Sequence, residues 1–223
     1  MISSGSGMSA QIDAGANTAT GDFTIHGPLN VGSLGFYKRG AGSLVLKGAA
    51  TTGNVALNVQ GGRVLCGAAH CMGANAAVPI SSGASLLLNG FNQTIASLNL
   101  SAGGTLSFGG TNTLTLNSPP LLAGAVQMVV NKGATAACSK LTVSSGTLTN
   151  GGTLTVVDQS TGALELGDTF GLFSALRFAG AFTNVSLPVL PLGLAWDTNN
   201  LASNGTLTVA FAPPVLTVIS PTV

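Results

Sequence analysis

The side chains with the most reactive chemistry gather in one stretch, R-V-L-C-G-A-A-H-C-M at 63–72, where Cys66 and Cys71 stand five apart beside His70. Thiolates and imidazoles are zinc ligands, but a structural zinc takes four of them. The remaining candidates, Cys138 and His26, lie far away in the chain. Three readings of Cys66 and Cys71 stay open. They ligate a metal with His70; they form a disulfide, if the loop folds back to bring their Cα atoms within about 7 Å in an oxidising compartment; or they are small buried apolar residues, as free cysteines often are. Cys138 is then the odd thiol, paired between molecules or buried. His26, in a T-I-H-G turn, reads as structural.

Acid–base chemistry has little to work with. Polysaccharide lyases and hydrolases need paired carboxylates, or a base with cationic stabilisers. The chain has only Asp13, Asp22, Asp158, Glu165, Asp168 and Asp197. Asp168 follows Gly167 and Asp197 precedes Thr198, settings where Asp hydrogen-bonds its own backbone. There is no G-x-S-x-G, no H-E-x-x-H, no phosphate-cradling loop with lysine and no calcium-binding Gly/Asp repeat. The expectation is a protein that is not an enzyme and carries no cofactor or metal. Four N-x-S/T sites, at Asn92, Asn99, Asn184 and Asn204, read as chance in Asn-rich turns. The Thr113/Thr115 pair raises an ice-binding face as a minor reading, since T-x-T does not recur cleanly along the sequence.

Composition narrows the partners. Charged residues are 6% and hydrophobic residues 45% of 223, against roughly 25% charged in ordinary soluble domains. A formal net charge of +1 leaves little repulsion between copies and favours association. Seven Lys and Arg, scattered along the chain, make no basic stripe for phosphates, so nucleic acid is not an expected partner. The longest apolar run, Leu121 to Val130, is strand length and carries Gln127, which argues against direct membrane insertion. Met1 to Gly7 lacks the basic and apolar regions of a signal peptide, and the chain is too short for both a solenoid and an outer-membrane barrel.

The elements that must position these residues come from a repeated unit between Lys38 and Ser118. A small residue or glycine precedes apolar residues spaced two apart, and Gly or Asn closes the unit. Leu44/Leu46, Val55/Leu57/Val59, Leu86/Leu88, Leu98/Leu100, Leu106/Phe108 and Leu114/Leu116 all follow it. Period two means strand. Each strand is too short to bury its apolar face alone, and the glycine-rich turns leave no room for crossover helices. Strands stacked coil on coil are the economical solution, a parallel β-solenoid of roughly ten coils about 4.8 Å apart.

Along the chain, residues 1–21 are rich in Ser, Gly, Ala and Thr and read as a flexible or assembly segment. Solenoid repeats fill 22–162, interrupted at Pro119-Pro120, where neither proline can donate to a ladder. The segment 163–211 carries Phe170, Phe173, Phe178, Phe182, Phe211 and Trp196, bulky residues suited to plugging the end of a solenoid core. It is expected to be a C-terminal β cap. Residues 212–223 follow a double proline, and Val215, Leu216, Thr217, Val218 and Ile219 read as a linker or an exchangeable self-assembly strand.

K-R-G-A-G-S-L-V-L-K-G resembles the K-x-G-x-G-x-L-x-L-x-G signature of the autotransporter-associated β-strand repeat, with Lys38, Gly40, Gly42, Leu44, Leu46 and Gly48 matching. G-A-S-L-L-L-N-G-F-N-Q-T-I-A-S-L at 83–98 is similar to the segment that usually follows. The family's aromatic before T-G is missing at Ala49 to Gly53. The terminal segment also resembles one found after such repeats in large bacterial surface proteins. The resemblance implies a right-handed parallel β-helix outside the cytoplasm, usually without catalysis. The expected function is therefore a non-enzymatic extracellular or bacterial cell-surface module, a stalk, fibre or coat that self-associates into an oligomer or filament. The alternative is an adhesin that binds surface glycans, or a polysaccharide-active β-helix enzyme.

Overall fold

The computed structural model describes residues 10–13, 22–29, 35–49 and 56–214. Among them there is no helix. The alternating units form short strands whose apolar members point inward in turn, as the buried–intermediate–buried pattern of Leu57–Val59 and the pattern of Thr113–Leu116 illustrate.

Three parallel sheets run along the stack. The first holds β1 (Ala10–Asp13), β3 (Phe36–Arg39), β5 (Leu57–Val59), β7 (Ala77–Ile80), β10 (Ser97–Leu100), β13 (Leu121–Leu122), β16 (Thr147–Asn150) and β20 (Arg177–Gly180). The second holds β2 (Phe23–Ile25), β4 (Ser43–Leu46), β6 (Arg63–Cys66), β8 (Ser85–Leu87), β11 (Thr105–Ser107), β14 (Ala125–Val130), β17 (Thr153–Asp158) and β21 (Asn184–Ser186). The third holds β9 (Gln93–Ile95), β12 (Thr113–Leu116), β15 (Lys140–Val143) and β19 (Phe173–Ser174). Successive strands of the first two sheets alternate in the chain, so each coil visits both. The first two sheets have eight strands each, which makes eight coils among the described residues where the recurring small-x-Leu-x-Leu pattern suggested about ten.

Register sets the coil length. Ser85 pairs with Thr105 and Thr105 with Ala125, a step of 20 residues. Ala125 pairs with Thr153 and Thr153 with Asn184, steps of 28 and 31. Part of the added chain is an excursion between β14 and β15, where Asn131 donates to the Ala137 carbonyl and Val130 bridges Cys138 antiparallel. Pro119 and Pro120 fall just before β13, which is only two residues long, as the loss of two backbone donors requires.

Side chains stack in columns down the core. Leu44, Val64, Leu86, Leu106, Val126 and Leu154 are in register and buried. A second column runs Lys38, Val59, Ile80, Leu100, Leu122, Asn150 and Gly180. It is apolar in the middle and polar at Lys38 and Asn150.

Beyond the third sheet the pairing changes sense. β18 (Thr169–Gly171), β22 (Leu194–Asp197) and β23 (Thr206–Phe211) form an antiparallel sheet with β23 in the centre. Phe170 and Phe173 are buried, Phe178, Phe182 and Trp196 half-buried, and Phe211 exposed. Phe170 meets Trp196 at 6.0 Å between ring centroids, and Trp196 Nε1 donates to the Pro188 carbonyl at 2.8 Å. Phe173 packs on Phe182 at 5.6 Å. Parallel stacking itself continues through β20 and β21.

Candidate functional site

Cys66 closes β6 pointing inward, and the four residues after it turn the chain so that Cys71 is also buried in the core. The turn uses a left-handed residue, His70 at φ 53°, and His70 itself is exposed. Gln93, on the first strand of the third sheet, holds the turn from the next coil. Its Nε2 donates to the Ala68 carbonyl at 2.8 Å, and its Oε1 accepts from Cys71 Sγ at 3.6 Å. Both cysteines are free thiols. Their mutual hydrogen bond, reinforced by burial, pushes the Cys66 thiol well above its ordinary range. The same bond lowers Cys71 against the opposing effect of burial. Among the described residues no three His, Cys, Asp or Glu side chains converge to hold a metal ion. Cys138 is half-buried, 3.6 Å from the Gly171 carbonyl, and its thiol is raised chiefly by burial.

The signature lysine has a structural use that its spacing did not reveal. Lys38 is fully buried, and its Nζ donates to the carbonyls of Arg39 at 2.6 Å, Gly40 at 2.8 Å and Gly61 at 3.0 Å. It ties the turn between the first two sheets to the same turn one coil on. A buried cation is tolerated only with such partners. Glycines recur in this turn because stacked backbones leave no space. A Cβ on Gly62, at φ +56°, would strike the Gly40 and Gly42 carbonyls, and one on Gly152 would strike the Gly124 carbonyl.

Because those turns lack side chains, the outside of the molecule carries a shallow trough beside the second sheet. Two adjoining depressions of about 400 and 370 Å³ meet at Thr105. Arg63, Ser85, Ser107 and Gln127 line one, Gly124, Gly152, Thr153 and Thr183 the other. Ser107 Oγ donates to Gln127 Oε1 at 2.8 Å.

Asp158, Asp168 and Asp197 are used in turns. Asp197 Oδ1 accepts the Asn199 N–H at 2.9 Å, and Asp158 Oδ1 accepts the Ser160 N–H at 2.8 Å. Asp168 Oδ2 accepts the Glu165 N–H at 2.8 Å and pairs with Lys132 Nζ at 2.9 Å, while Glu165 pairs with the same ammonium at 2.7 Å. Desolvation raises the Asp168 pKa, but the Glu165 N–H and Lys132 outweigh it and hold the carboxyl below its ordinary value.

The structure also reveals a periodicity obscured in the sequence. Thr94, Thr115, Thr142 and Ser174 pair in register on the outward side of the third sheet. Their spacings of 21, 27 and 32 residues differ because the later coils carry longer loops, which hides the column from a fixed-period search. It is a single rank of hydroxyls rather than a two-dimensional array.

At the far end, inward residues of the last coil lose their cover. Phe178 and Val185 are half-buried, although Leu148 and Leu154, the residues they pair with, are fully buried. The second edges of β20 and β21 pair with no strand among the described residues. Val215 to Ile219, the expected self-assembly strand, lie outside the described residues. The class defined by these features is an all-β stacked-coil protein with long parallel sheets. No family model matches the chain, and no curated protein matches it.

Proposed function

We propose that this chain is a non-enzymatic structural module of the extracellular space or the bacterial cell surface, a right-handed β-solenoid that associates end to end. The observation that carries this reading is the unfinished last coil. The antiparallel β18–β23–β22 sheet joins the stack on the third-sheet side through Gly205, whose carbonyl accepts the Leu172 and Phe173 N–H groups at 2.9 and 3.1 Å, and the turn between β22 and β23 reaches over Asn150 and Val185 with Leu201. On the other two sides β20 and β21 have backbone edges that pair with no strand among the described residues, beside half-buried Phe178 and Val185. Unpaired edges of this kind template further strands unless charge or a cap blunts them. Here Arg177 is the one charged residue on the two strands. The near-neutral composition and the repeat resemblance support the surface location.

Light scattering and electron microscopy on the full chain test the proposal. The expected outcome is oligomers or filaments that Ser186→Lys disperses, since Ser186 is exposed on β21 and lysine on an edge strand blunts further pairing. Monomers at all concentrations overturn it. Deleting residues 212–223 separates strand exchange from direct edge joining, because only strand exchange is abolished by the deletion.

A second reading, an adhesin that binds glycans or a polysaccharide-active β-helix enzyme, is favoured by the trough of hydroxyl and amide side chains around Thr105. A glycan array with a polysaccharide turnover assay decides between the two, saturable binding or cleavage supporting the second.

A further inference from the structure

The turn between β22 and β23 stands where a further coil would begin. In register, Asn150 is followed by Gly180 and Leu154 by Val185, so strands laid on β20 and β21 would carry their inward side chains over Gly180 and Val185. Leu201 already takes part of that space. It is 5% exposed, and with Asn150, Phe182 and Val185 it lines a cavity of about 160 Å³. The same place cannot hold both the turn and another coil.

The turn is tied to itself rather than to the coil beneath it. The Asn200 carbonyl accepts N–H groups from Asn204 at 2.9 Å and Gly205 at 3.0 Å, and the Leu201 N–H donates to the Thr198 carbonyl at 3.0 Å. Asp197 Oδ1 accepts the Asn199 N–H. Among the described residues no hydrogen bond or ion pair joins 198–203 to 177–187. Apolar contact through Leu201 is the hold, and two defects weaken it. The cavity leaves Leu201, Phe182 and Val185 without partner atoms on one side. Below it, Asn150 is 4% exposed and neither its Oδ1 nor its Nδ2 has a hydrogen-bond partner among the described residues. Both atoms are sealed from the cavity, so water there does not meet them. A buried amide left unmade is costly, and lifting the turn relieves that cost by opening the last coil to water. A segment with few apolar contacts and no bonds to its support is the kind that opens locally.

We propose that the 198–203 turn is a latch on self-assembly. Closed, it keeps a second copy of this chain off the last coil; open, it bares the ends of the core columns beside β20 and β21. The latch rests on the end-to-end association proposed for these strands and regulates it. Only molecules with the latch open are competent, so joining is slowed in proportion to their fraction.

Assembly rates of the native full chain, Asn150→Leu and Leu201→Ser, followed by light scattering, test the latch. Asn150→Leu puts an apolar side chain beneath Leu201 in place of the unmet amide, so it should raise the melting temperature and slow assembly. Leu201→Ser removes the apolar hold and should speed assembly at least about tenfold. Fluorescence of Trp196, which packs on Phe170 and donates to the Pro188 carbonyl, checks that the antiparallel sheet stays folded; if Leu201→Ser loses that signal, Asn150→Leu decides alone. Adding Ser186→Lys to Leu201→Ser should abolish assembly, which separates joining at β21 from non-specific aggregation. Equal rates in the three chains, faster assembly of Asn150→Leu, or assembly that survives Ser186→Lys would each overturn the latch while leaving end-to-end association to its own test. If none of the three chains assembles at any concentration, the end-to-end association itself fails and the latch fails with it.

Discussion

A single buried ammonium illustrates how much one residue carries in this molecule. Lys38 serves three carbonyls on two coils, so Lys38→Met keeps the apolar stem and leaves those acceptors without that donor. The expected loss is about 1–3 kcal/mol of unfolding free energy, measured by urea denaturation. An unchanged midpoint would show that water replaces the ammonium. The Lys132 cluster behaves differently because it is exposed and screened by salt. Asp168 has a lowered pKa, so its contribution is complete above the unfolded carboxyl value of about 3.9 and is lost as pH falls through the lower folded value. Hydrogen bonds to Glu165 and then Asp168 raise Lys132, so its contribution is complete below about 10.4 and is lost as pH rises through the folded value. Melting temperature followed against pH should therefore fall slightly further at the acid end in the native chain than in Lys132→Met, and 1 M salt should erase the difference. Equal acid limbs at low salt would sink this account.

At the scale of strands and turns, legibility follows local chemistry. The alternation of Leu44 with Leu46 and of Leu114 with Leu116 declares strands, because a two-residue period has no other use in so short a segment. The glycines of K-R-G-A-G-S declare a turn, and the close approach of stacked carbonyls explains why Gly62 and Gly152 stand at its equivalents. Asp168 and Asp197 were readable as turn formers for the same local reason. What could not be read depends on register between distant residues. Thr94, Thr115, Thr142 and Ser174 are adjacent only after loops of unequal length have been folded out of the stack. The Gln93 contact with the Cys71 turn joins residues 22 apart, and nothing in either segment marks the other. Asn150 looks like an ordinary turn residue in G-T-L-T-N, and its inward position emerges only from pairing with Leu122. The antiparallel sense of β18, β22 and β23 was likewise hidden, since alternation alone does not distinguish parallel from antiparallel strands.

For the whole molecule, the central step of 20 residues gives a consequence at the level of genes. Residues 105–124 contain β11, β12 and β13, one strand from each of the three sheets. Excising that block would bring Ser85 against Ala125 in the second sheet, Asn99 against Thr149 in the first, and the strand of Gln93 against that of Lys140 in the third. Every column would close up by one place. The shortened chain is expected to fold with an unchanged circular dichroism band shape and to be about 4.8 Å shorter by small-angle scattering. Removing half as much, residues 105–114, should unfold it, because side chains would then face the wrong neighbours. Cooperative folding of the half-deletion, or collapse of the full one, would refute the scheme. If it holds, loss or duplication of sixty nucleotides in this stretch changes the reach of the protein in fixed increments while leaving both of its ends as they were, so the gene can lengthen or shorten a molecular ruler without redesigning what is attached to either tip.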